Sequence, residues 1–273
     1  MKKNAKNEKM SIILYNKGSA YTLMLGGKQV KMTVIGHWGG YPAKGEASSA
    51  YLLQCDDTSI LLDCGSGALS HMQEYINPLE LDGLILSHYH ADHVADVGVL
   101  QHAYLIGNKL NNRNETLSIF GHNENEQEFQ RLTYKGVTKG RPYDAHSSVT
   151  IGPFSIQFLR TEHSVPCFAM KVTCKGKVIV YTADSAYQPS FIPFAEYADL
   201  LLCESNFYVG MDAKSAGHMT SREAGFLALE SKVKKLVLTH LPHFGSHETL
   251  KKEAEELFKG PVLLADKGLV LEI

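Results

Sequence analysis

A chain of 273 residues with 44% apolar and 21% charged content is long enough to bury a large core and has the composition of an ordinary globular protein. Its formal net charge of −2 gives no global electrostatic pull toward nucleic acid. No apolar run approaches the ~18 residues that a membrane span requires, and the polar start from Met1 to Lys9 lacks the apolar stretch of a signal peptide. No membrane association is expected, and the expected compartment is the cytoplasm. The five cysteines (Cys55, Cys64, Cys167, Cys174, Cys203) are odd in number, form no C-x-x-C and fall mostly in apolar runs, as buried reduced thiols do.

Taken in order, residues 1–9 are expected to be disordered, and Ser11 to Met24 reads as two strands around an Asn16-Lys17-Gly18 turn, broken off at Gly26-Gly27. Met32 to Gly36 is a buried strand that runs into His37-Trp38-Gly39-Gly40-Tyr41-Pro42, where the paired glycines permit a tight rim loop. Ser49 to Cys55 and Ser59 to Leu62 form a hairpin over Asp56-Asp57. It delivers Asp63-Cys64-Gly65-Ser66-Gly67 and then a helix to about Ile76.

Leu84-Ile85-Leu86 is a short buried strand followed directly by Ser87-His88-Tyr89-His90-Ala91-Asp92-His93. Val94 to Ile106 has a helical apolar face, Leu117 to Phe120 is a strand, and a helix rich in Glu and Gln is expected from Gly121-His122-Asn123. The strand Phe154 to Leu159 leads to Thr161-Glu162-His163-Ser164-Val165-Pro166. Phe168 to Cys174 and Lys177 to Tyr181 make a hairpin over Lys175-Gly176, ending in Thr182-Ala183-Asp184-Ser185. Leu200 to Cys203 presents Glu204 at a strand end. Thr220 and Glu223 have capping-box spacing, which starts a helix just after His218. Lys234 to Thr239 is a strand carrying His240, and a helix from Glu248 to Phe258 precedes two short strands. His243 and His247 read as surface residues.

Four potential metal ligands within six residues dominate this pattern. His88 and His90 are two apart, so on an extended segment they face one side and can reach one cation. Asp92 and His93 follow on the turn and can reach a second. Imidazole nitrogen with a carboxylate oxygen suits zinc, with manganese or iron as alternatives.

This H-x-H-x-D-H pattern resembles the metallo-β-lactamase superfamily. The resemblance implies an α/β fold, a four-layer αββα sandwich of two mixed β-sheets flanked by helices. It covers 32–273 as one hydrolase domain and leaves 1–31 as an N-terminal extension, an extra hairpin or otherwise. It also implies a dinuclear site of two divalent transition-metal ions. His163 joins His88 and His90 on one ion, His240 joins Asp92 and His93 on the other, and Asp184 bridges them. Asp92 belongs to the catalytic set as well. Asp63 is implied as a hydrogen-bonding support for the ligand loop, and His37, Trp38 and Ser164 are placed to touch substrate.

Glu204 and the sequence Gly217-His218-Met219-Thr220 look like ribonuclease Z and its phosphodiesterase relatives, which implies that His218 donates a proton and that Glu204 orients it. One departure matters. The usual tRNA-gripping arm lies between the third-histidine and bridging-aspartate motifs, yet His163 and Asp184 are only 21 residues apart, room for the hairpin alone. The expectation is therefore a metal-dependent phosphodiesterase that uses a metal-activated water on a small phosphodiester, a nucleotide-type molecule or a short nucleic acid. Thioesterases and lactonases of the glyoxalase-II type share every ligand and are opposed only by Glu204 and His218. Ribonuclease Z-like RNA processing ranks lower. A homodimer is compatible with the sequence.

Overall fold

A computed structural model describes residues 11–16, 19–24 and 29–273. The expected disorder of residues 1–9, the Lys17-Gly18 tip and the Gly26-Gly27 break lie outside these. Strands β1 (Ser11–Asn16) and β2 (Ser19–Met24) pair antiparallel as a two-stranded sheet of their own, which is the anticipated hairpin.

The first large sheet is built from β3 (Lys31–Gly36), β4 (Ala50–Cys55), β5 (Thr58–Leu62), β6 (Gly83–Ile85), β7 (Leu117–His122) and β8 (Thr138–Tyr143). The second contains β9 (Ser148–Ile151), β10 (Phe154–Arg160), β11 (Phe168–Cys174), β12 (Lys177–Tyr181), β13 (Leu200–Glu204), β14 (Leu236–Thr239) and β15 (Val262–Leu264). The chain then returns to the first sheet as β16 (Val270–Glu272), giving two seven-stranded sheets in the orders β16-β3-β4-β5-β6-β7-β8 and β15-β14-β13-β12-β11-β10-β9.

Each sheet is mixed in the same way. Hairpins join β3 to β5 and β9 to β12, and parallel pairing then runs from β5 to β8 and from β12 to β15. Parallel strands need crossovers, and the helices that supply them cover the two outer faces. Helices α1 (Ala68–Met72), α2 (Ala91–Val94), α3 (Val97–Leu110) and α4 (Glu126–Gln130) belong to the first half. Helices α5 (Phe191–Ala195), α6 (Ser221–Glu230) and α7 (His247–Glu255) belong to the second. The result is the expected four-layer αββα sandwich.

Period-2 patterning explains the inner layer. In β10, Phe154, Ile156 and Phe158 alternate inward and meet Tyr51, Leu53 and Leu62 of the first sheet, all buried. Phe154 is fully buried at this contact, so Phe154→Ala is expected to lower the unfolding free energy by about 3–5 kcal/mol in chemical denaturation. A loss under about 1 kcal/mol would show that the layer closes over the gap.

Several boundaries differ from the sequence expectation. The segment from Val94 to Ile106 is two helices, because Asp96 leaves the helical path and accepts a hydrogen bond from Leu69 N (2.9 Å), fastening α3 to α1. The helix after Asp63 runs only from Ala68 to Met72. Gly121 and His122 do not begin a helix; they extend β7 by pairing with Pro142 and Tyr143 of β8. The helix starts at Glu126, after Asn125 accepts from Glu128 N. All five cysteines are buried free thiols, as expected. Cys55 and Cys174 place their Sγ atoms 2.8 Å apart where the two sheets' hairpin turns meet, beside a Lys175–Asp56 ion pair of 2.6 Å. That contact lies at the opposite strand ends from the histidines.

Candidate metal centre

In open mixed sheets, functional groups gather beyond the carboxyl ends of the parallel strands. Here β5 ends at Asp63, β6 at Ser87 and His88, β12 near Asp184, β13 at Glu204 and β14 at His240. Asp63 and His240 have positive φ (57° and 53°), as has Ala183 (53°) beside Asp184, so the chain turns sharply where each strand hands over its functional group.

Asp63 is fully buried and saturated with hydrogen bonds. It accepts from Ser87 N (2.7 Å), Ser87 Oγ (2.8 Å) and Tyr181 OH (2.9 Å), and contacts His93 Nδ1 at 2.8 Å. Its carboxylate fixes the loop and orients the His93 ring, which leaves His93 Nε2 to face the site.

His88, His90 and His163 converge. His90 Nδ1 lies 3.1 Å from both His88 Nε2 and His163 Nε2. His163 Nδ1–H donates to the Gly217 carbonyl (2.9 Å), so its Nε2 carries a lone pair. On the other side, His240 Nε2 is 3.1 Å from Asp92 Oδ2, and His93 Nε2 is 3.6 Å from the same oxygen. Asp184 Oδ2 stands between the sets, 3.7 and 3.8 Å from His88 and His163 and 3.4 and 3.3 Å from His93 and His240.

Buried polar atoms without partners show that these residues fit metal ions. His93 Nε2 and Asp184 Oδ1 are both buried with no hydrogen bond, a cost of about 1–3 kcal/mol each when nothing compensates them. The ligand-type atoms of His88, His90, His163 and Asp184 lie within 4.8 Å of one another, and so do those of Asp92, His93, Asp184 and His240. Nitrogen-rich sets sharing one carboxylate suit a pair of transition-metal ions.

Electrostatics agree. Burial, reinforced by the neighbouring His93, pushes the His88 imidazole well below its usual range, toward the neutral form that metal binding needs. Burial alone would raise the Asp184 carboxyl, but His240 and His93 prevail and hold it well below the carboxylate range. Burial opposes charge on His93 too, yet Asp184 and Asp63 overcome it and raise its pKa well above the usual range, a pull toward positive charge that a cation at the site would answer in place of the proton.

Beside this centre lies a second pair. His218 Nδ1 is 2.8 Å from Glu204 Oε1, and the buried Glu204 also accepts from Ser185 N (2.9 Å). Burial works against a charged His218, but the charge and hydrogen bond of Glu204 raise its pKa to about 9. The turn holding His218 is fixed on both sides. Thr220 and Glu223 form the full capping box of α6, and Gly217 adopts φ 75° while its carbonyl holds His163. A Cβ on Gly217 would come within 3.0 Å of His163 Nδ1.

These groups open into a cleft of about 400 Å³ lined by His90, Asp92, His163, Asp184, His218 and His240, with Ser164 and Asn206 beside them. His37 and Trp38 do not line it. His37 is buried behind the loop, its carbonyl accepting from Leu241 N and its ring depressed to about 4 by burial, partly offset by Asp266. Trp38 stacks on His243 instead. His243 is exposed as expected, yet it lines the cleft together with Tyr41 and Phe244.

Three contributors were not foreseen. Gly40 N donates to Asp92 Oδ2 (2.7 Å), Asn206 Nδ2 donates to the His240 carbonyl (2.9 Å), and Tyr181 braces Asp63. The only signal for Asn206 was its place two residues after Glu204.

Residues 58–241 match the family described as the beta-lactamase superfamily domain. The chain is 51% identical over 243 residues to the probable metallo-hydrolase YhfI of Bacillus subtilis, spanning 89% of this chain and 100% of that one. The crystal structure of YhfI aligns with a TM-score of 0.89, covering 90% of this chain and 100% of YhfI. A ribonuclease Z of Halorubrum lacusprofundi is 25% identical over 309 residues, 89% of this chain and 97% of its own length. A diphosphatase from the PhnP family shares the fold with a TM-score of 0.71 at 16% identity, over 90% of this chain and 98% of that one. No helix among the described residues is long and apolar enough to cross a membrane. With two His/Asp clusters suited to a dinuclear site and with these relatives, the chain belongs to the β-lactamase superfamily, among its metallo-hydrolases.

Proposed function

We propose that the protein is a dinuclear metal-dependent phosphodiesterase acting on small phosphodiesters or nucleotide-type molecules. The observation that carries this reading is the His218–Glu204 pair, held at 2.8 Å with His218 lining the same cleft as members of both ligand sets. His88, His90 and His163 would hold one ion, Asp92, His93 and His240 the other, and Asp184 both; zinc suits this donor set, with manganese or iron as alternatives. When bound, such a pair supplies Lewis acidity toward phosphoryl oxygens and makes water nucleophilic near neutral pH.

The remaining chemistry belongs to the chain. An alkoxide leaving group is a strong base and needs a proton. With its Nδ1 committed to Glu204, His218 holds that proton at Nε2, the nitrogen left for the substrate. Glu204 fixes the ring and favours its charged form. Asn206 steadies His240 through its carbonyl, and Gly40 steadies Asp92 through its amide. A thioester departs as a weaker base and has less use for the pair, whereas a lactone also leaves as an alkoxide and is told apart by the substrate panel below. Ribonuclease Z-like cleavage is supported by relatives of that name, but the segment from His163 to Asp184 is taken up by the β11–β12 hairpin and leaves no arm to grip tRNA.

A panel of phosphodiesters, phosphomonoesters, thioesters and lactones, assayed after reconstitution with zinc, manganese or iron, tests the reading. Phosphodiesters are expected to turn over fastest, and faster than a precursor tRNA. A thioester or lactone in first place, or tRNA 3′-trailer removal exceeding small-diester turnover, would displace the proposal.

A further inference from the structure

One wall of the cleft is made of rings that the chemistry above does not use. Tyr41 and His243 lie face to face, with centroids 3.8 Å apart and planes 8° apart, and His243 stacks in turn on Trp38 at 4.6 Å and 15°. The column runs from a half-buried indole to a phenol ring that is 62% exposed, and Tyr41 and His243 both border the cleft. Phe244, 47% exposed, borders it next to His243. Exposed aromatic side chains clustered at a cleft mark an interaction site, and stacked rings suit a flat partner.

The column is also rigidly placed. His243 Nε2–H donates to the Tyr41 carbonyl (2.6 Å), tying the two ring-bearing loops together across 202 residues of sequence. Gly40, in the loop between Trp38 and Tyr41 in sequence, donates its amide to Asp92 Oδ2. Gly39 packs so closely that a Cβ there would lie 2.9 Å from the His240 ring. The shelf is thereby set at a fixed offset from the groups that would hold the phosphate end of a substrate.

We infer that Tyr41, backed by His243 and Trp38, is a stacking shelf for a nucleobase whose phosphate occupies the metal centre, so that base-bearing phosphates are selected over base-free phosphosugars. This inference rests on the phosphodiesterase reading for its phosphate end. A sugar ring offers no π face to such a column, whereas every nucleobase does, so stacking by itself is tolerant of base identity.

Calorimetric titration of the metal-reconstituted protein with adenosine 5′-monophosphate and with ribose 5-phosphate tests the shelf without turnover. The nucleotide is expected to bind about 10-fold more tightly, within the range that stacking of one base supplies. Tyr41→Ala is expected to bring the two affinities together. Tyr41→Trp is expected to keep the preference, and its new indole fluorescence to be quenched by the nucleotide and not by the phosphosugar. Equal affinities in the unaltered protein, or a preference that survives Tyr41→Ala, would overturn the assignment. The two readings fail separately. A protein that prefers the nucleotide but hydrolyses no phosphodiester keeps the shelf and loses the proposed reaction; an active phosphodiesterase that binds both ligands equally does the reverse.

Discussion

His218→Ala is expected to lower kcat on alkyl phosphodiesters by about 10²–10⁴-fold while both metal ions stay bound. His218 hydrogen-bonds to Glu204, not to the ligand carboxylates, so metal content is expected to be unchanged. The loss should depend on the leaving group. A nitrophenolate departs as a weak base and needs little help, so nitrophenyl diesters should suffer far less than alkyl ones. Glu204→Gln should show the same pattern more mildly, because it keeps the ring's partner but removes the charge that raises the His218 pKa to about 9. Equal losses on both substrate classes, or an ion lost from the His218 variant, would make the residue a support for the site and end its assignment as the proton donor.

Asp184→Asn is expected to reduce activity to near background and the metal content from two ions to one or none. The substitution preserves shape, so any effect reports the charge. Among the described residues, Asp184 Oδ2 is the one carboxylate oxygen within 4 Å of a ring nitrogen on His88, His163, His93 and His240 alike. Without its charge, two cations held close together repel with less compensation. Stability offers a second measurement. An ion present at about a thousand times its Kd adds roughly 4 kcal/mol to the folded state, so a chelator should lower the Tm of the unaltered protein markedly. The Asp184→Asn variant should respond much less. Two ions per chain in that variant, by elemental analysis after dialysis, would show that Asp184 is not the shared ligand.

The elements that sequence made legible are those whose signal is local. The run from Ser87 to His93 carries four ligand types on one strand-end turn, and the parallel strands announce themselves as short apolar runs because both their faces are buried. What escaped depends on distant partners. Strand β8 contains Gly140 and Pro142 and lies at a sheet edge, where composition says little about pairing. His122 joins a strand because Tyr143 lies beside it, and α2 stops short of α3 because Asp96 reaches Leu69. The shelf was invisible for the same reason. Tyr41 and His243 each look like ordinary surface residues until the fold stacks them.

The return of β16 to the first sheet sets an order on synthesis. Strand β3 is central only because Val270, Leu271 and Glu272 pair with Thr33, Met32 and Lys31. On a growing chain, residues 31–36 emerge more than 230 residues before that partner exists, and β4 can cover only one of their two edges meanwhile. Every group proposed for chemistry has been synthesised by His240, yet an apolar strand carrying the buried Met32 and Val34 still shows an open edge to other nascent chains. Pairing so distant in sequence also closes late, since the entropy of a long loop is lost before its contacts are gained. The last strand, which touches none of the reacting groups, is the one that covers the open edge of β3.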